Sequence, residues 1–181
     1  MPRTSSLLLA CLALACAGGR DDAELARVIA IARAELDAGD ARAALETLGR
    51  AVLLAPDSAE AWRLRAHAFA CLDEPEPGLA ALDRALALDP NDVWTHYARG
   101  VALKRLGRPL EAIASFDRAL ALDRTHAKAW VHRAHARLEA GDGAGARADL
   151  LAARRFVPEG SEDREWLERT LAGLGGDSPT R

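Results

Sequence analysis

The stretch Asp83–Asp89 reads DRALALD, and the same seven letters return at Asp117–Asp123. A catalytic loop gains nothing from such duplication, because an enzyme needs one nucleophile in one place. A packing element recurs whenever the fold is an array. The same offset carries Pro56 onto Pro90, Arg124 and Pro158, and Ala51 onto Ala85, Ala119 and Ala153. It carries Gly39 onto Asp73, Gly107 and Gly141, where a turn is wanted. It also carries Leu48 onto Leu82, Phe116 and Leu150, and Ala32 onto Ala66, Gly100 and Ala134. Several independent columns therefore agree over four copies.

Elementary packing explains these columns. Apolar residues fall at helical spacing, as in Leu79, Leu82 and Leu86 and again in Ile113, Phe116 and Leu120. Half of the chain is hydrophobic, with Ala and Leu dominant and aromatics at 4%, which favours helix over strand. Small residues at Ala44, Gly78, Ala112 and Ala146 mark where two helices approach closely. The prolines end one unit and begin the next, since proline cannot continue a helix interior. Acidic residues lead several helices (Asp21 and Asp22, Asp57 and Glu60, Glu74 and Glu76), where they complement the positive helix end. DRALALD is thus the closing helix of a repeated unit.

A 34-residue unit of two helices and a turn resembles the tetratricopeptide repeat (TPR) family. The resemblance implies an all-α, right-handed α-solenoid of about four units within residues 20–158, at about 23–56, 57–92, 93–126 and 127–158. The stretch SEDREWLERTLAGLGG then supplies a capping helix within 159–176, with Ser161 as its N-cap and Trp166, Leu167, Thr170, Leu171 and Leu174 as one stripe. The tail 177–181 is expected to be disordered. Two departures from the family pattern stand out. The Leu expected three residues after the first Trp column is Arg65, Arg99 and Arg133 (Ile31 in the first unit), and the Tyr column holds Glu35, Phe69, Leu103 and Arg137. Gly143 and Gly145 at a helix start mark the fourth unit as the least stable.

Residues 1–19 read as a bacterial export signal, with Arg3 and the amino terminus ahead of the apolar run Leu7–Ala15. Nine apolar residues are too few for a transmembrane helix, which needs about 20. Cleavage follows Ala15 or Ala17, or the segment is lipoprotein-like and Cys16 is lipidated. The expected location is periplasmic or membrane-anchored through Cys16, with secretion as the alternative. Cys16 and Cys71 then form no disulfide framework, and Cys71 reads as a small filler.

The formal net charge is −3, so no basic field marks a nucleic-acid binder. No phosphate loop, G-x-S-x-G or HExxH is present. His132 and His135 lie one helical turn apart, with His126 near, but lack further placed ligands for a metal. No catalytic residue, metal, cofactor or small-molecule substrate is expected. The TPR resemblance instead implies a non-enzymatic adaptor or scaffold, whose partner is a protein or peptide lying in a concave groove lined by the first helix of each unit. Similar envelope TPR proteins serve pilus or secretion assembly or scaffold cell-wall enzymes. The alternative is a structural assembly subunit using the convex face or the repeat ends.

The groove positions of the family fall here on Arg33, Asp37, Glu60, Arg63, His67, Trp94, Tyr97, Lys104, Arg105, Lys128, His135 and Glu139. Five fixed positive charges meet three negative ones in this set, and both lysines of the chain lie in it. Trp94 and Tyr97 are anchors of the kind that dominate binding surfaces. The family's carboxylate clamp falls on Arg63, His67, Ala98, Lys128 and His132, with Ala98 where the central Asn is expected. A looser preference for acidic or C-terminal segments follows from that resemblance.

Overall fold

The computed structural model describes residues 22–175. The stretch 1–19 read above as an export signal, with Cys16, and the tail 177–181 lie outside the described residues. Among the described residues there are nine helices and no strand. Two compact units divide them. The first, to Glu74, holds α1 (22–37), α2 (Ala41–Leu54) and α3 (Ala59–Cys71). The second, from Pro75, holds α4 (Pro75–Leu88), α5 (Val93–Arg105), α6 (Pro109–Leu122), α7 (Ala127–Glu139), α8 (Gly143–Ala153) and α9 (Glu162–Gly175). Each helix of the second unit packs on its neighbour in sequence, and α5 also touches α7.

Caps and turns fix the helix ends. Side chains of Asp40, Ser58, Asp92, Asp142 and Ser161 each accept a backbone N–H of the first turn that follows. The sequence gap between the helices of a pair is closed in one way each time. Gly39, Asp73, Gly107 and Gly141 all take positive φ (81°, 57°, 68° and 81°). The residue after each returns its N–H to a carbonyl five back, as from Arg108 to Leu103 at 2.9 Å. Asp73 adopts this geometry without being glycine. Gly143 and Gly145 sit in the first turn of α8, capped by Asp142, so the penalty of an interior glycine does not apply to them. Cys71 ends α3 exposed, which corrects its reading as a filler.

The loop columns also pin the first helices. The indole N–H of Trp62 donates to the Pro56 carbonyl at 2.9 Å, and that of Trp130 to the Arg124 carbonyl at 2.8 Å. His96 occupies the equivalent place, its Nε2 lying 2.9 Å from the Pro90 carbonyl. A carbonyl only accepts, so Nε2 carries the proton there.

The core is a seam of small residues against large ones. Ala32 and Leu48 are fully buried together in the first unit, as Ala134 and Leu150 are in the second. Where the large partner is Phe116, the small one has shrunk to Gly100. A Cβ built on Gly100 would stand 2.5 Å from the Phe116 ring. Gly100→Ala is therefore expected to destabilise by roughly 1–3 kcal/mol through overpacking. Adding Phe116→Leu, which restores the pairing of the other units, should recover much of that loss in urea unfolding. Equal or greater loss in the double variant would contradict the size match.

Candidate functional site

In the first unit Arg33 on α1 is exposed and ion-paired with Glu60 on α3. The pair edges an open depression of about 480 Å³ that also takes in Ala26, Ile29, Ala30, Ala34 and Asp37. Arg33 thus has a carboxylate in place, and an exposed pair of this kind contributes at most about 1 kcal/mol. Arg63 is half-buried and His67 exposed on α3.

In the second unit α5 and α7 bring a row of rings together. The Tyr97 ring centroid lies 4.8 Å from that of His126 and 5.5 Å from that of His132. His132 stacks on Phe116 at 6.1 Å and stands 6.3 Å from His135. His135 lies flat on Trp166 of α9, 3.8 Å away at an interplanar angle of 11°. Trp94 is half-buried in the first turn of α5, and Lys104 and Arg105 close its last turn, Arg105 exposed. Lys128 opens α7.

Burial sets the electrostatics of this row. The His132 pKa falls to about 4, first because the ring is buried and then because Lys104, His135, Lys128 and His126 all oppose a further positive charge. Its Nδ1 is buried with no hydrogen-bond partner. Burial, then Lys104, lowers His135 as well, against the pull of Asp163. The Tyr97 hydroxyl is pushed up to about 12 by burial and then by Asp163. His126 is committed elsewhere, because its Nδ1 accepts the Ala129 N–H at 3.1 Å and caps α7. Among the described residues no three His, Cys, Asp or Glu side chains converge as metal ligands. None of the described helices is long and apolar enough to cross a membrane.

Behind the row lies an ionic seam that the sequence reading did not resolve. Arg99 donates to Asp83 on α4 at 2.7 Å and to Ser115 on α6 at 2.8 Å, its partners lying 16 residues to either side. Arg133 repeats this, binding Asp117 on α6 and gripping Asp149 on α8 with two bonds of 2.6 and 2.9 Å. Arg137 adds a third contact to Asp149 at 2.8 Å. Burial opposes the Arg133 charge, but the hydrogen bonds and fields of Asp149 and Asp117 outweigh it and raise its pKa. The opening Asp of each DRALALD is therefore the acceptor for the Arg of the next first helix. The closing Asp serves the turn, since Asp89 accepts from the Asn91 N–H and Asp123 from Thr125.

Tetratricopeptide repeat models match residues 29–93 and 93–126. The chain belongs to the tetratricopeptide repeat family. Its fold is an all-α solenoid of TPR units. A search of curated proteins gives no significant match. Among solved structures, the MamA protein is 23% identical with a TM-score of 0.70, covering 76% of this chain and 75% of that one. The Yersinia enterocolitica type III secretion chaperone SycD, in complex with a peptide of the translocator YopD, is 20% identical with a TM-score of 0.60 over 65% and 92%. The first TPR of Spaghetti (RPAP3), bound to the HSP90 peptide SRMEEVD, is 20% identical with a TM-score of 0.60 over 64% and 92%. In the TPR columns Trp166 lies one repeat offset beyond His132, so the periodicity itself could have placed it in the ring row rather than only in the capping stripe.

The His132 shift makes the fold acid-sensitive. The unfolded chain takes up this proton near pH 6.5, the native chain only at about 4. Stability from the neutral ring is thus complete above pH 6.5 and is lost as pH falls toward 4, by about 2 kcal/mol at pH 5. Urea unfolding at pH 7 and pH 5 should show that loss, and His132→Phe, which keeps the ring and removes the titration, should shrink it. An equal acid loss in the variant would contradict the assignment.

Proposed function

We propose that this TPR protein is a non-enzymatic adaptor that docks a segment of a protein partner along the inner faces of α5 and α7. The carrying observation is that both lysines of the chain, Lys104 and Lys128, act on one row of rings formed by Tyr97, His132, His135 and Trp166. Rings with polar edges supply adhesive area at low entropic cost. The lysines supply charge where Asp163 is the acidic group felt by both Tyr97 and His135. Such a surface fits an extended segment rich in carboxylates or ending in one. Peptide complexes of the structurally similar SycD and Spaghetti support this use of the fold. The export signal read in residues 1–19 makes the bacterial envelope its workplace, in the periplasm or on a membrane through Cys16.

A second reading has its own observation. Leu53 on α2 and Leu110 on α6 are 82% and 72% exposed, and both belong to second helices of their repeats. An assembly subunit would bury such positions.

Crosslinked pull-down from native membranes discriminates the two. Lys104→Glu with Lys128→Glu, at unchanged helicity, is expected to cut partner recovery at least tenfold. Wild-type binding should also weaken as salt shortens the screening length from about 10 Å at 0.1 M to about 3 Å at 1 M. Undiminished recovery with the double variant would move the site to the leucine-bearing helices.

A further inference from the structure

We propose that the α5/α7 face takes up a proton together with the anionic segment it binds, and that His132 receives it. This rests on the docking reading above and adds its regulation. The imidazole lies among rings of three elements: Tyr97 on α5, Phe116 on α6 and His135 on its own helix. The charged and titratable groups around it are Tyr97 and Lys104 from α5, His126 ahead of α7, Lys128 and His135 on α7, and Asp163 of α9 through His135 and Tyr97. Phe116 contributes no charge from α6. Positive groups thus outnumber the single carboxylate.

Among the three imidazoles of this face, His132 is distinguished by a buried ring nitrogen with no hydrogen-bond partner. His126 Nδ1 caps α7, so protonating that atom would remove a helix cap. His135 is covered on one face by Trp166. The two lysines are hydrogen-bond donors only and offer no acceptor for a proton. His132 Nδ1 makes no structural hydrogen bond that would have to break.

The free face holds His132 neutral because Lys104 and Lys128 repel a third positive charge and the ring is poorly solvated. Carboxylates laid against those lysines cancel both fields. The proton then adds favourably, and by linkage the same coupling makes protonation tighten the anion. The sign follows: binding strengthens as pH falls below the ordinary imidazole range and levels off near pH 4. Return of the ring to about 6.5 in the complex would strengthen binding about thirtyfold between pH 7.5 and 5.

The test is isothermal titration calorimetry of the full chain with hexa-aspartate at pH 7.5 and 5.0, with hexa-asparagine as the uncharged control. At each pH, two buffers of different ionisation enthalpy report the protons bound. The expected result is at least tenfold tighter hexa-aspartate binding at pH 5.0, with a fraction of a proton to one proton taken up per peptide. His132→Gln should reduce the tightening to less than twofold. Proton uptake in the wild type needs no variant and tests the proposal even if His132→Gln fails to fold. Binding of equal strength at both pH values without proton uptake would overturn the proton link and leave the docking reading intact. Tightening that survives in a folded His132→Gln would also overturn it. Absence of hexa-aspartate binding at either pH would overturn the link together with its anionic partner.

Discussion

Arg133 is held between two helices that it does not belong to. Its guanidinium, with a side chain 11% exposed, meets Asp117 on α6 and the 2% exposed Asp149 on α8. A charge so placed is tolerable only when its partners arrive in register, since the buried Asp149 or the cation left alone would be strongly penalised. Each arginine thereby specifies the position of its own helix against both flanking second helices. Arg99 repeats the arrangement one unit earlier with Asp83 and Ser115. Arg65 marks where the ladder stops. In its repeat, Gly49 occupies the column that holds Asp83 and Asp117 in the next two. The buried Arg65 Nε has no partner, while its guanidinium lies over Trp62 and Phe69 at 5.4 and 5.7 Å. The rings shelter the cation where the column supplies glycine instead of a carboxylate.

The ladder leaves other positions of the same helices for the rings. Arg99 and Arg133 face the second helices, so the residues a few positions round on α5 and α7 are left to build the row of Tyr97, His132 and His135. The seam of small residues lets the helices approach closely, and at Gly100 there is no room for a Cβ against Phe116. Phe116 belongs to both layers, filling the core against Gly100 and forming the floor on which His132 stacks. The proposed recognition face and the core thus share that one ring.

Much of the fold was legible because the chain repeats itself. The columns of Ala, Leu and Gly specify helix faces and turns through packing rules that depend on spacing alone. The turns followed from Gly39, Gly107 and Gly141, and Asp73 was placed at a turn by its column, while the left-handed backbone of all four came from the structure. The arginines were visible as departures from the TPR pattern, but their meaning was not, because the partners lie several helical turns away in both directions and on different helices. Cys71 was misjudged since residue type favours burial and its place at a helix end does not. Of the ring row, Tyr97, His132 and His135 were named from the sequence as groove or clamp positions. Its electrostatics were not legible, because the packing of Tyr97 and His132 on Phe116 and the pull of Asp163 on Tyr97 and His135 join elements that no local pattern connects.

Paired charges between consecutive helices of the second unit, rather than apolar contact alone, lock its repeats together. The most direct measurement is a double-mutant cycle in which Arg133→Leu and Asp149→Ala are made singly and together and unfolded in urea. Leu is the residue the family pattern would place at 133. The account predicts that Arg133→Leu alone costs about 3 kcal/mol, because Asp149 stays buried with only Arg137 against it. Removing Asp149 as well should restore at least half of that loss. A cost below about 1 kcal/mol for Arg133→Leu, or single losses that simply add in the double variant, would contradict the account.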